Sequence, residues 1–172
     1  PMGNADPAGA IVSSVTSRVP LSVLELASVA GDQTTGDALA AATAFAQRAD
    51  ELGYHRIWVA EHHNMVSVAS TSPPVLLAHL GAHTTRIRLG SGGVMLPNHA
   101  PLAVAEQFAL LEGLHPGRID LGLGRAPGSD QQTSALLRRG AMATGAEEEF
   151  MRDIQQLYAF LWSSRTHSDD PD

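Results

Sequence analysis

The run RIWVAEHHNMVSVASTSPPVLLAHLGAHTTRIRLGSGGVML, residues 56–96, decides the architecture. Its first segment, with Trp58, Val59 and Ala60, reads as a buried strand. SVASTS is a polar loop. Ser72 is a plausible cap, and Pro73 is the residue favoured in a first helical turn. Leu76, Leu77 and Leu80 then fall at helical spacing, to about Thr84. RIRLGSGGVML closes the unit as another strand, glycine-rich in its middle. A strand, a helix and a strand in succession make a parallel pair joined by a crossover.

The same alternation continues on both sides. LSVLELASV, residues 21–29, is a compact apolar strand, and GDQTTG is the loop after it. Asp37 is a plausible N-cap for a helix carrying Leu39, Ala42, Ala46, Ala49 and Leu52, with Gly53 as its stop. Downstream, Asn98 to Pro101 open a helix with Val104, Phe108 and Leu111 on its apolar side, and His115-Pro116-Gly117 ends it. RIDLGLGRAP is the fourth strand, followed by a long loop with a helical turn around Ala135 to Arg139. The last helix is expected from about Ala146 to Trp162, with Glu147, Glu148 and Glu149 in a first turn that favours anions. Phe150, Ile154, Leu157 and Leu161 form its buried stripe.

Strand starts near 21, 56, 86 and 118 give an α/β chain of about four parallel (β/α) units. A doubly wound open sheet and a TIM-type (β/α)₈ barrel both fit this order. The barrel needs roughly 250 residues, so a chain of 172 would supply half of one. The expected organisation is a flexible segment over 1–20, the (β/α)₄ half barrel over 21–162 and a polar tail over 163–172. Both architectures place ligands at the carboxyl ends of the strands.

Composition narrows the function. A net charge of −7 argues against nucleic acid or an anionic membrane as partner. No cysteine is present, which removes disulfides, thiolate metal sites and cysteine nucleophiles. The eleven basic residues are all arginine, which excludes Schiff-base and P-loop lysines. Neither a signal peptide nor a membrane span is expected, and the cytoplasm is the expected compartment.

Three strand ends carry unusual residues. The second ends in Glu61-His62-His63, the third in GSGGVMLPNH and the fourth in GLGRAPG. Adjacent strand residues point to opposite faces, so His62 and His63 are not expected to share a metal, and no metal site is expected. One of them could act as a general acid or base, the other being solvated or hydrogen-bonded in the core. Gly90, Gly92 and Gly93 suit either a bulge or a flat surface for an aromatic ring. Arg125 projects where a guanidinium could take a phosphate or carboxylate, or pair with Asp120 or Asp130. His99 reads as a cap or turn residue, and Asp50 and Glu51 as a helix surface. Arg138 and Arg139 read as a solvated pair, and His79, His83 and Phe108 as packing or interface.

WVAEHHN together with SPPVLLAHLGAHTTRIRLGSGGVMLPNHAPLAVAEQFALLEGLHPGRIDLGLGRAPG resembles the bacterial luciferase-like flavin monooxygenases, from about Leu21 to Asp130 and more weakly to Trp162. The resemblance implies a (β/α)₈ barrel that uses reduced FMN and O₂ to oxidise an aldehyde, a sulfonate or a related small organic substrate. A deazaflavin replaces FMN in some relatives. It implies that His62 is the active-site histidine beside the flavin, with Glu61 starting that motif. Gly92 and Gly93 would lie under the flavin ring, often through a non-proline cis bond, and Arg125 near its phosphate. It further implies association as a homodimer, or with a complementary half, through helices 73–84 and 101–115 and exposed sheet edges. Gly124 stands where the luciferase catalytic subunit has a reactive cysteine, so light emission is not expected. Because the sequence stops after the fourth unit, a truncated product is expected. A half that pairs with another and a non-catalytic assembly subunit are the alternatives. A zinc hydrolase using His62 and His99 is a further one.

Overall fold

The computed structural model describes residues 19–137 and 146–166. The described residues begin with β1 (Ser22–Glu25), α1 (Thr35–Glu51), β2 (Arg56–Val59) and α2 (Pro73–Ala82). β3 (Arg88–Ser91), β4 (Val94–Met95), a 3₁₀ turn (Leu96–Asn98) and α3 (Pro101–Leu114) follow. β5 (Ile119–Asp120), β6 (Leu123–Gly124), α4 (Gln131–Leu137) and α5 (Ala146–Thr166) are the last of the described elements. The expected third strand is thus two, broken at Gly92–Gly93, and the fourth is broken at Leu121–Gly122. The second expected helix stops at Ala82 and the third at Leu114, slightly short of the ends expected for them. The last helix runs past Trp162 to Thr166 because no proline or glycine interrupts it. The N-terminal segment through Arg18, the pair Arg138 and Arg139, and residues 167–172 of the tail lie outside the described residues.

The strands β1-β2-β3-β5 form one sheet in sequence order, every pair parallel, with Ile57 opposite Val23 and Leu89, and Leu89 opposite Ile119. A doubly wound sheet reverses its order at a switch point. This one never does, so the units are of barrel type. β4 and β6 prolong β3 and β5 as a separate parallel pair, with Val94 opposite Leu123.

The two faces of the sheet differ. Ile57, Val59 and Leu89 are fully buried and pack against Leu76, Leu77 and Leu80 of α2 and Val104, Phe108 and Leu111 of α3. α5 lies on α3 and adds Leu157, with Phe150, Ile154 and Leu161 beside it, as the stripe predicts. On the other face Trp58 is only half-buried rather than enclosed as expected, and Leu24 is exposed. Arg56 and Arg88 both bind Asp120 there, at 2.6 and 2.7 Å. Burial raises the Asp120 pKa, but hydrogen bonds from Arg88 and Arg56 outweigh it and the carboxyl titrates below its ordinary value.

α1 starts earlier than the sequence suggests. Thr34 is the N-cap and Asp37 is the third helical residue of a capping box. The Thr34 hydroxyl accepts from Asp37 N–H at 3.1 Å, and the Asp37 carboxylate accepts from Thr34 N–H at 2.8 Å. Ala38, Ala42, Ala46 and Ala49 are the buried stripe, while Leu52 is the exposed C-cap. Thr34→Ala should lower stability by about 1 kcal/mol in urea denaturation without changing the slope.

Asp50 was expected on a helix surface but is buried. Its carboxylate accepts from the backbone N–H groups of Thr85, Arg86 and Ile87, at 2.7, 3.2 and 2.8 Å, and from the Thr85 hydroxyl at 3.1 Å. It therefore ties the end of α1 to the turn that feeds β3. Sequence spacing did not reveal this, because the partners lie beyond an intervening strand and helix.

Candidate active site at the carboxyl ends of the strands

β2 delivers Glu61, His62 and His63 just past its last paired residue, Val59. The backbone there is no longer a strand. Ala60 N–H donates to Glu25 O, His62 N–H to Ser70 O and His63 N–H to Gly128 O, and Asn64 has a positive φ of 55°. The opposite-face rule for neighbouring strand residues thus does not apply. The His63 ring turns back towards Glu61.

Glu61 is fully buried and its carboxylate is the hub. One oxygen, Oε1, accepts from His63 Nε2 and from His99 Nε2, each at 2.7 Å. The other, Oε2, accepts from the Met95 backbone N–H at 2.9 Å. Burial raises its pKa most, but the hydrogen bonds from His99, His63 and Met95 together win and hold the carboxyl below its ordinary value. Glu61 is therefore ionised at neutral pH. Its side chain binds the ends of β2 and β4 and the start of α3 to one point. His99, expected as a cap or turn residue and, in the zinc-hydrolase alternative, as a partner of His62, instead joins Glu61 and His63. No spacing rule could find it, because it lies across two strands.

His62 stands beside this hub without joining it. Its Nδ1 is buried and has no hydrogen-bond partner among the described residues, and the same holds for Asn98 Oδ1. Asn98 is anchored by its Nδ2, which donates to Pro127 O at 2.8 Å.

The Gly92–Gly93 peptide is cis. The glycines are required by their surroundings. A Cβ on Gly93 would lie 2.8 Å from the Leu123 carbonyl carbon and 3.0 Å from Gly122 O and Gly124 N. A Cβ on Gly92 would lie 3.0 Å from Trp58 Cβ, and one on Gly90 would enter the Trp58 ring. The aromatic ring resting on the bare backbone at Gly90 is thus the protein's own Trp58. Arg56 stacks its guanidinium over that ring at 4.8 Å.

Arg125 pairs with neither Asp120 nor Asp130. Asp120 is held by Arg56 and Arg88, and Asp130 by Thr133. The Arg125 side chain is 67% exposed, and its ion-pair partner is Glu147 at 3.9 Å. His79 and His83 lie away from this cluster: His79 meets the Thr43 hydroxyl, and His83 binds the His79 carbonyl.

The profile of the family described as luciferase-like monooxygenase matches residues 19–168, a span that includes every described residue. The chain belongs to this family. A luciferase-like monooxygenase of Escherichia coli (strain K12) is 50% identical over 139 residues, covering 81% of this chain. An N-acetyl-S-alkylcysteine monooxygenase of Bacillus subtilis (strain 168) is 49% identical over 143 residues. The crystal structure of apo-MsnO8 superposes with a TM-score of 0.78 at 42% identity, over 84% of this chain and 43% of that one. The chain spans 41% and 42% of the lengths of the two curated relatives. As a luciferase-like chain its parallel units correspond to part of a TIM-type barrel. No described helix is long and apolar enough to cross a membrane.

Proposed function

We propose that this chain carries the amino-terminal half of a flavin-dependent monooxygenase site that takes reduced FMN, O₂ and a small organic substrate such as an aldehyde. The observation that supports this most is the orphaned His62 Nδ1, with Asn98 Oδ1 likewise unpaired, both buried near the strand ends. Buried polar atoms are nearly always paired, and a cofactor's polar edge would pair them. When bound, reduced flavin supplies electrons and O₂ supplies the oxygen atom. His62, fixed through its backbone to Ser70, offers a ring nitrogen that can hold a proton at the cofactor edge. Gly92 and Gly93 leave the β4 strand start free of side chains, which suits a flat ring. Arg125, exposed and only loosely paired, suits the phosphate end. Ala60 and Ser70 are buried, the Ser70 hydroxyl donating to Ala60 O and the Ser70 carbonyl accepting from His62 N–H. Association through α2 and α3 belongs to the same reading. Val75, Leu102, Leu110 and Leu114 are exposed apolar residues on those helices.

An anaerobic titration of the chain with reduced FMN, read by fluorescence, tests this. Saturable one-to-one binding is expected, weakened about tenfold, or about 1.4 kcal/mol, in each of His62→Ala and Arg125→Ala. Binding of a reduced deazaflavin in preference to FMN would replace the monooxygenase with a hydride-transfer enzyme. A folded chain that binds neither up to millimolar concentration would overturn the reading for these four units. It would leave them an assembly piece. Aldehydes are the first substrates to test with O₂, and the name of the Bacillus subtilis relative adds N-acetyl-S-alkylcysteines.

A further inference from the structure

An ionised carboxylate can only accept hydrogen bonds. The 2.7 Å contacts from His63 Nε2 and His99 Nε2 to Glu61 Oε1 therefore each carry their hydrogen on the imidazole. The three side chains also bring their ligating atoms within 4.8 Å of one another, as a metal site would. Ligand atoms sharing a metal at ~2.1 Å bond lengths stand about 3 Å or more apart. Contacts of 2.7 Å are shorter than that, so the arrangement described is one of hydrogen bonds.

A neutral imidazole protonated at Nε2 is bare at Nδ1. His99 is the more open of the two rings, with 32% of its side chain exposed against 16% for His63. Its chain neighbour Asn98 carries a buried, unpartnered Oδ1. We propose that Glu61 is the positioning residue of this face. It holds both rings in the Nε2–H tautomer, so that His99 presents an unprotonated Nδ1 to an N–H or O–H donor of the bound ligand. The tautomer stands on these hydrogen bonds together with the ionised state of Glu61; the ligand's identity rests on the function proposed above.

The Glu61→Gln variant makes the inference sharp. An amide has one acceptor end and one donor end. The Met95 N–H at 2.9 Å requires the oxygen on its side. The amide NH₂ then faces both Nε2 atoms, and donor meets donor unless each ring moves its hydrogen to Nδ1. The conservative variant should therefore reverse the tautomer of His99 while the fold is kept. A purely structural role of Glu61 would not move that signature.

The measurement is the pair of ring ¹⁵N chemical shifts of each histidine, recorded above the imidazole titration range. In the unmodified chain His63 and His99 should show protonated Nε2 and bare Nδ1. In Glu61→Gln the His99 pattern should reverse, with His79 and His83 unchanged. A wild-type spectrum with His99 protonated at Nδ1 overturns the proposal outright, and this reading survives even if the variant fails to fold. An unchanged His99 tautomer in a folded Glu61→Gln chain also overturns it. Adding reduced FMN should shift His99 Nδ1 and leave His79 and His83 in place. Saturated, His62-dependent binding with no shift at His99 would overturn its role towards the ligand. No flavin binding at all would instead count against the proposed function, while the tautomer spectra still decide the positioning role.

Discussion

Gly93→Ala is expected to cost at least about 3 kcal/mol of stability and to abolish flavin binding. The added methyl would lie 2.8–3.0 Å from three backbone atoms of Gly122, Leu123 and Gly124. Backbone cannot turn aside as a long side chain can, so β4 and β6 must separate. Their pairing, Val94 with Leu123 and Met95 with Gly124, then fails. Met95 also donates the N–H that holds Glu61, so the hub loses one of its anchors. Gly113→Ala is the matched control. It lies in α3 with open space around it, and should stabilise the chain by about 0.5–1 kcal/mol. Chemical denaturation of both variants checks the pair. A Gly93→Ala chain of unchanged stability would mean that the two strand ends are not packed as described.

Asp50→Ala should destabilise the chain by about 3–5 kcal/mol, because it strands three backbone donors of the turn before β3. The same group predicts a pH dependence. Burial raises the Asp50 pKa most, but the hydrogen bonds from Thr85, Ile87 and Arg86 together outweigh it and leave it lowered. A carboxylate lowered in the native state binds its proton more readily when unfolded. Its contribution is therefore fully present above the unfolded value of about 4, and is lost as pH falls through the lower native value. Asp120, lowered between Arg88 and Arg56, acts in the same direction. Urea midpoints measured from about pH 6 down to pH 2 should fall steeply below pH 4. Asp50→Asn should flatten that fall. Equal slopes in the two chains would remove Asp50 as its source.

Local pattern was enough for the helices that bury a stripe. Leu76, Leu77 and Leu80, then Val104, Phe108 and Leu111, then Leu157 between Phe150, Ile154 and Leu161, all face the core as their spacing predicts. The period of a helix is written in the chain itself, so no distant residue is needed to read it. Boundaries were less legible. Asp37 looks like a cap, and only the geometry shows Thr34 in that place with Asp37 answering it.

The sequence by itself determined the parallel βα order, the family, and the places of Glu61, His62, Gly92, Gly93 and Arg125 just past strand segments. Only the tertiary structure decided how those residues divide their work. His63 and His99 share the Glu61 carboxylate, while His62 keeps an unpartnered Nδ1. Trp58 fills the space over Gly90, and Asp50 leaves the surface to bind a turn 35 residues away. The reason is physical. Periodicity and capping act over a few residues along one chain segment. Hydrogen bonds between a buried carboxylate and its donors depend on which strand ends meet in space, and that is settled only when the sheet forms.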